Sequence, residues 1–172
     1  MGVLERFGIC SGKDNFRETA IYALASAYSR IEKEILDHLR PFNLTPAKFN
    51  AMMVIKHVGR DKGLSQIDIG RRLIVTASNI TRLVDNMERE EYIERLTQKG
   101  DRRVNLIRIS KKGSDLLDQV WPCYYKRIAA MANLLNRDEL IMISDLLLKL
   151  SSGLEGVTKG TLRTKGEKGV ES

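Results

Sequence analysis

Residues 64–110 read LSQIDIGRRLIVTASNITRLVDNMEREEYIERLTQKGDRRVNLIRIS, and this stretch decides the fold. Ser65 is a suitable N-cap for a short helix over residues 66–73, and Thr76 for a second helix over residues 77–91. The tight connection at residues 73–75 is typical of a helix-turn-helix. Residues 92–97 and 104–109 then alternate apolar and polar side chains, as strands do, on either side of the polar segment 98–103. The pattern therefore predicts a helix-turn-helix followed by a β-hairpin, or wing.

Helical patterns flank this segment on both sides. Apolar residues recur at spacings of three and four over residues 15–40, in a narrow seam that suits helix pairing. Thr45 and Pro46 predict a helix that begins there and ends near residue 58. The helix after Ser110 should reach about residue 135, with Pro122 expected to kink or split it, and Asn136 can cap a last helix over residues 137–152.

These patterns predict a mainly α fold with a small β-hairpin wing. The winged helix-turn-helix lobe is expected at residues 44–112, with flanking helices at 15–40 and 113–152. Residues 153–172 contain five glycines and few large apolar side chains, so we expect a mostly disordered tail.

The net charge of +7 is concentrated in the middle of the chain. Residues 45–112 contain fifteen basic and eight acidic side chains, and the segments on either side nearly balance. A basic centre between neutral ends is typical of a surface that contacts phosphate, although a solvated charged face would have the same composition.

The second helix of the motif has two faces. The apolar residues expected to pack on the lobe are Ile80, Leu83, Val84 and Met87, and the outward-facing polar residues are Ser78, Asn79, Arg82 and Asn86. Hydroxyl, amide and guanidinium groups match the donors and acceptors of base edges in the major groove. Ser78 and Asn79, near the helix start, should lie closest to the bases, whereas Thr76 and Thr81 suit phosphate. The alternative is an ordinary amphipathic helix with a polar outer face.

The hairpin tip adds a second basic element. Gly100 permits a tight turn, and Arg102 and Arg103 at an exposed tip can reach into a narrow minor groove, whose negative potential attracts guanidinium. Asp101 would hold an arginine or a backbone amide in place. Together the helix and the tip predict contact with double-stranded DNA.

Six short motifs then follow one another along residues 44–113. They are LT at 44–45, LS at 64–65, TRLVD at 81–85, IER at 93–95, DRR at 101–103 and ISKKG at 109–113. Their order and spacing resemble the multiple-antibiotic-resistance regulator (MarR) family of bacterial and archaeal transcription factors. One departure is the sequence Glu90-Glu91-Tyr92, where the family usually has a glycine before the wing.

The resemblance implies a homodimer, with residues 15–40 and 113–152 as the dimerisation region and residues 44–112 as the DNA-binding lobe. It implies a repressor that binds a pseudo-palindromic operator and is released by a small aromatic or anionic effector, which binds between the dimerisation helices and the lobe. Carried over by position, Ser78, Asn79 and Arg82 would face bases, and Arg103, with Arg102 beside it, would be the wing arginine.

An enzyme is one alternative class. The candidate residues would be His38, His57, Cys10 and Cys123, but the sequence contains no nucleophile elbow, phosphate-binding loop or metal-ligand spacing. We therefore predict no catalytic residue, no metal site and no cofactor. No run of eighteen apolar residues occurs, so we expect no contact with membranes. The start of the sequence lacks a secretory-signal pattern, and two unpaired cysteines suit a reducing compartment, so we expect a cytoplasmic protein.

Three questions stay open at this point. Cys10, just before the first helix, would make the protein a redox-sensing repressor if its thiol were reactive, and an inert cysteine is the alternative. A winged-helix module that binds only protein or RNA is a further candidate. The aromatic residues Trp121, Tyr124 and Tyr125 would line either an effector pocket or the core of a dimer interface.

Overall fold

The fold is mainly helical, with one small sheet. The computed structural model describes residues 15–73, 80–97 and 105–159. In chain order the elements are α1 (Phe16–Leu39), α2 (Pro46–Val54), β1 (Leu64–Ser65), α3 (Gln66–Arg72), α4 (Ile80–Arg89), β2 (Ile93–Thr97), β3 (Asn105–Ile109), α5 (Lys111–Ala132) and α6 (Arg137–Lys159). This is the predicted class of fold, a helix-turn-helix and wing between longer helices. The predicted start of α4, at residues 76–79, lies outside the described residues.

Side-chain caps begin the helices where the sequence predicted them, at Thr45, Ser65, Ser110 and Asn136. At the start of α2 the Lys48 amide donates to Thr45 Oγ1 at 3.2 Å. Before α6 the cap is reciprocal, because the Glu139 amide donates to Asn136 Oδ1 at 3.0 Å and the Asn136 amide donates to Glu139 Oε2 at 2.8 Å. Each cap satisfies amides that a helix start leaves without a helical partner.

The sheet has three antiparallel strands in the order β1-β3-β2. The predicted hairpin pairs Ile93 with Ile109 at its base and Thr97 with Asn105 toward its tip. Strand β1 was not predicted, since its two residues are too short to show an alternating pattern. Because Leu64 pairs with Ile107, β1 fastens the start of α3 to the wing.

The chain forms two compact units that divide between residues 125 and 126, within α5. The first contains the hydrophobic core, to which α2, α3, α4, the sheet and α5 all contribute buried side chains. Val84 and Met87 of α4 are fully buried, and Ile80 and Leu83 pack against the core, as the amphipathic pattern predicted. The second unit contains the end of α5 and α6.

Three helices differ from the predictions. A π-helical turn, Ile55–Gly59, carries α2 on to Gly59. Helix α5 continues through Pro122, so of the two predicted outcomes, a kink or a split, the split does not occur. Proline removes one amide hydrogen, but Leu117 and Val120, both buried, anchor the turn before it.

Helix α6 runs to Lys159, seven residues beyond its predicted end. Residues 153–159, expected to be tail, are therefore helical. Leu150 and Leu154 continue the apolar spacing across Gly153, and a glycine weakens a helix without necessarily ending it. Residues 160–172 lie outside the described residues. Among the described helices, none is long and apolar enough to cross a membrane.

Candidate nucleic-acid interface

The outward face of α4 presents a row of polar side chains. Arg82, Asn86 and Arg89 follow the spacing i, i+4, i+7, and both arginines are exposed. The Arg89 guanidinium donates to Asn86 Oδ1, so these two side chains hold each other on the helix surface. Arg89 was not among the predicted contact residues, although its spacing from Arg82 was a usable signal. This row faces away from the buried side of α4.

Thr81 lies at the start of the described part of α4. Its hydroxyl oxygen accepts a hydrogen bond at 2.6 Å from the Gln66 side-chain amide, at the first position of α3. The bond joins the two helices of the helix-turn-helix on their exposed side. The Thr81 hydroxyl keeps its own hydrogen available for an outside acceptor such as phosphate.

The structure brings two of the seven predicted DNA-contact residues onto one surface, Thr81 and Arg82. The others lie outside the described residues; they are Thr76, Ser78, Asn79, Arg102 and Arg103. Their roles therefore stay predictions from the sequence. Cys10 also lies outside the described residues.

Helix α4 also carries acidic side chains, and these are paired within the lobe. Arg95 of β2 forms ion pairs with two of them: its Nη2 donates a hydrogen bond to Asp85 Oδ1, and its Nε lies 2.9 Å from Glu88 Oε2. The Arg95 side chain is about two-thirds buried, at 32% relative exposure. The guanidinium offsets part of the negative charge of two carboxylates that would repel phosphate, and it ties the first strand of the wing to α4.

The next two carboxylates, after the end of α4, are paired in the same way. Both oxygens of Glu90 accept from Lys48 Nζ, at 2.6 and 2.8 Å, and the lysine side chain is only 14% exposed. Lys112 Nζ donates to Glu91 Oε2 at 2.9 Å, and this hydrogen bond lowers the pKa of Glu91 and raises the pKa of Lys112. The basic residues of the outward face thus lie beside carboxylates that already have partners.

The turn that joins α4 to β2 has a left-handed residue. Glu91 has a φ of 63°, the Tyr92 amide donates to the Met87 carbonyl, and the Glu91 amide donates to the Glu88 carbonyl, both at 2.9 Å. This pair of bonds is a Schellman motif, whose left-handed position favours glycine. The departure seen in the sequence at residues 90–92 therefore leaves the turn geometry intact and places a glutamate in a strained backbone conformation.

A cavity of about 290 Å³ lies among α1, α2 and α5, away from the outward face of α4. It is lined by Tyr28, Ile31, Glu32, Ile35, Pro46, Phe49, Asn50 and Tyr124. The Tyr124 and Phe49 rings pack with centroids 4.5 Å apart. Of the aromatic cluster singled out in the sequence, Tyr124 lines the cavity, whereas Trp121 and Tyr125 are exposed.

No metal centre is found within the part of the chain that the structure describes. No group of three or more histidine, cysteine, aspartate or glutamate side chains there could hold an ion. Cys123 is half-buried, and its thiol bonds the Val120 carbonyl at 3.0 Å, an ordinary contact within a helix.

Sequence comparisons identify relatives among transcription regulators. The profile of the MarR family matches residues 42–104. The chain is 30% identical over 127 residues to the HTH-type transcriptional regulator MhqR of Bacillus subtilis, covering 74% of this chain and 86% of MhqR. It is also 27% identical over 125 residues to the uncharacterised HTH-type regulator YkoM of the same organism, covering 73% of this chain and 79% of YkoM.

Solved structures with the same fold include DNA complexes. The MepR–DNA complex of Staphylococcus aureus matches with a TM-score of 0.71 at 21% identity, covering 78% of this chain and 97% of MepR. A mutant of Escherichia coli MarR in complex with operator DNA matches with a TM-score of 0.69 at 19% identity, covering 81% of this chain and 99% of that one. At these identities the likeness establishes the fold.

Proposed function

Because the chain belongs to the MarR family of winged helix-turn-helix DNA-binding transcription regulators, which are not enzymes, we propose that it acts as a homodimeric repressor. Its α4 helices would enter the major groove at the two halves of a pseudo-palindromic operator, and the wings would reach the flanking minor grooves. A small effector would release the complex. MepR and MarR, two structural relatives solved with bound DNA, support the mode of binding.

The observation that carries the proposal is the outward face of α4. A helix whose opposite side is fully buried at Val84 and Met87 has a fixed orientation on the lobe, so its exposed row is presented as a rigid surface. Arg82 and Arg89 supply positive charge to this surface, and the nearby carboxylates are paired with lysine or arginine. Such a surface is suited to a groove lined by phosphates.

We assign separate roles along this surface. Ser78, Asn79 and Arg82 would contact base edges, while Thr76 and Thr81 would bind phosphate. Arg102 and Arg103 would enter the minor groove. We add Arg89 as a phosphate contact, because the last turn of a recognition helix lies nearer to the backbone than to the bases.

The cavity among α1, α2 and α5 supports release by an effector. Phe49 and Tyr124 line it, and Phe49 also belongs to the buried core that contains Val84 and Met87. A ligand that displaces these rings would act on the core that orients α4. If the core has two packing arrangements and the protein binds DNA more tightly in one of them, effector binding in the cavity would be coupled to DNA binding by α4.

The proposal is tested first by DNA binding. Fluorescence anisotropy with the duplex upstream of the protein's own gene, against a scrambled duplex, should show specific binding with one dimer per site. Asn79→Ala should weaken specific binding by about 1–3 kcal/mol and leave scrambled DNA nearly unaffected, because base contacts carry the specificity. Arg103→Ala and Arg89→Ala should weaken both, and each should lower the slope of log K against log salt by about one.

The matched control is Arg137→Ala, which removes the same charge from α6, outside the lobe. It should leave both the affinity and the salt slope unchanged. If Arg89→Ala and Arg137→Ala behave alike, the assignment of Arg89 is wrong. If the wild-type protein binds both duplexes equally, the operator does not lie upstream of the protein's own gene. If the protein binds no DNA, the proposed function itself is contradicted.

A further inference from the structure

The cavity among α1, α2 and α5 has an electrostatic character that selects its ligand. Eight residues line it within the described part of the chain, and among these Glu32 alone is charged and none is basic. The remaining polar groups are the Asn50 amide and the hydroxyls of Tyr28 and Tyr124. The cavity therefore offers hydrogen bonds and one negative charge to whatever binds in it.

Both tyrosines respond to this environment in the same direction. The Glu32 carboxylate lies beside Tyr28, accepts its hydroxyl hydrogen at 3.3 Å, and raises the pKa of Tyr28. Burial raises the pKa of Tyr124. A neighbouring negative charge and removal from water each make an anion less stable. Both effects disfavour the phenolate form of the tyrosines, and both would disfavour a carboxylate ligand in the same way.

The nearest cation on α2 does not offset this field. Lys48 lies two residues before Asn50, but its ammonium group bonds both oxygens of Glu90. The start of α2 is also a weak anion site, since Pro46 has no amide hydrogen and the Lys48 amide donates to Thr45 Oγ1.

The shape of the cavity indicates a ring-sized ligand. Its volume of about 290 Å³ exceeds the roughly 150 Å³ of an engineered cavity that binds benzene, so it has room for one substituted ring. The Phe49 and Tyr124 rings, with Ile31 and Ile35, give it apolar and aromatic walls. These walls favour a flat apolar body, with polar groups directed toward Glu32 or Asn50.

We infer that this cavity binds a small aromatic molecule that is neutral or cationic, with a hydrogen-bond donor directed at Glu32, and that it rejects aromatic carboxylates. The inference deepens the proposed effector site and rests on the proposed function for its regulatory meaning. Binding itself does not require DNA, so it can be measured on the free protein.

Three probes of nearly the same size separate charge from shape: benzylamine, benzyl alcohol and benzoate. Calorimetry on the full-length protein without DNA gives their affinities. The fluorescence of the protein's single tryptophan, Trp121, offers a second readout, because its ring centroid lies 5.9 Å from that of Tyr124. We expect benzylamine to bind more tightly than benzyl alcohol, and benzoate to bind at least about tenfold more weakly than benzylamine.

Substitution at Glu32 tests the cause. Glu32→Gln keeps the shape and hydrogen-bonding capacity but removes the charge, and it should bring the three affinities close together. Glu32→Lys should reverse the order, with benzoate the tightest. The matched control is Glu18→Gln, the same change on the same helix but outside the cavity lining, and it should keep the wild-type order.

Several results would overturn the inference. They are benzoate binding as tightly as benzylamine to the wild type, an order that Glu32→Gln leaves unchanged, and no binding by any probe up to its solubility limit. The proposed function fails separately, if the ligand-free protein does not bind its operator while the probes still bind in the expected order.

Discussion

At the scale of single residues, one strained position lies at the turn before the wing. Glu91 holds a left-handed backbone conformation, which disfavours residues other than glycine by about 1 kcal/mol. Glu91→Gly should therefore raise the midpoint of thermal unfolding by a few degrees, even though it removes the exposed contact with Lys112. Thermal unfolding followed by circular dichroism would measure the change.

A second variant separates the backbone from the side chain. Glu91→Ala removes the same contact with Lys112 but keeps a β-carbon in the left-handed conformation. We expect no gain in the unfolding midpoint from Glu91→Ala. An equal gain from both variants would attribute the effect to the lost carboxylate instead of the backbone.

At the scale of elements, the critical junction is where α4, the wing and α5 meet. The buried Ser110 donates through its hydroxyl to the Glu91 carbonyl at 2.6 Å and accepts from the Gly113 amide at 3.0 Å. A methyl group at Gly113 would overlap the Tyr92 carbonyl and lie 2.9 Å from Ile109 Cδ1. Helix α5 can approach the wing this closely only because residue 113 lacks a side chain.

We expect Gly113→Ala to lower the free energy of unfolding by about 3 kcal/mol, through overpacking against backbone that cannot move aside. Urea denaturation would measure this value. Ser114→Ala, at the next position of α5, is the control and should change the free energy of unfolding by less than about 0.5 kcal/mol. A mild effect of Gly113→Ala would mean that α5 can shift away from the wing.

At the scale of the whole molecule, α6 presents apolar side chains to solvent in the single chain. They include Ile143, Leu146, Leu147, Leu150 and Leu154, on one side of the helix. A stripe of this length is typical of an interface, and the proposed homodimer would bury it.

Leu147→Glu should therefore convert the dimer to monomer in sedimentation velocity and weaken operator binding, because the two lobes would no longer bind together. Ser152→Glu, on the opposite side of α6, should leave the dimer intact. Circular dichroism would establish that Leu147→Glu keeps its helical content. A Leu147→Glu protein that is folded and still dimeric would exclude this stripe from the interface.

Local sequence patterns alone predict the order and type of nearly all elements. Periodicity and capping are local properties, and for that reason the caps at Thr45, Ser65, Ser110 and Asn136 and the two faces of α4 could be read from neighbouring residues. The motifs also sufficed for the family and for Thr81 and Arg82 on the exposed side of α4. Local patterns were less reliable at Pro122 and Gly153, because proline and glycine usually end a helix. At Pro122 packing maintains the helix, and at Gly153 the apolar spacing continues through it.

Other features depend on contacts between residues that are distant in the chain, and these contacts exist only in the folded protein. Strand β1 exists because residues 64–65 meet residues 106–107 across the lobe. Two sets of ion pairs likewise join elements whose contact cannot be predicted from the spacing of residues. They are Arg95 with Asp85 and Glu88, and Lys48 with Glu90. The cavity at Glu32 is likewise formed by three helices. The negative charge of this cavity could not be predicted from the sequence. The packing of the helices determines which carboxylates have a cation beside them.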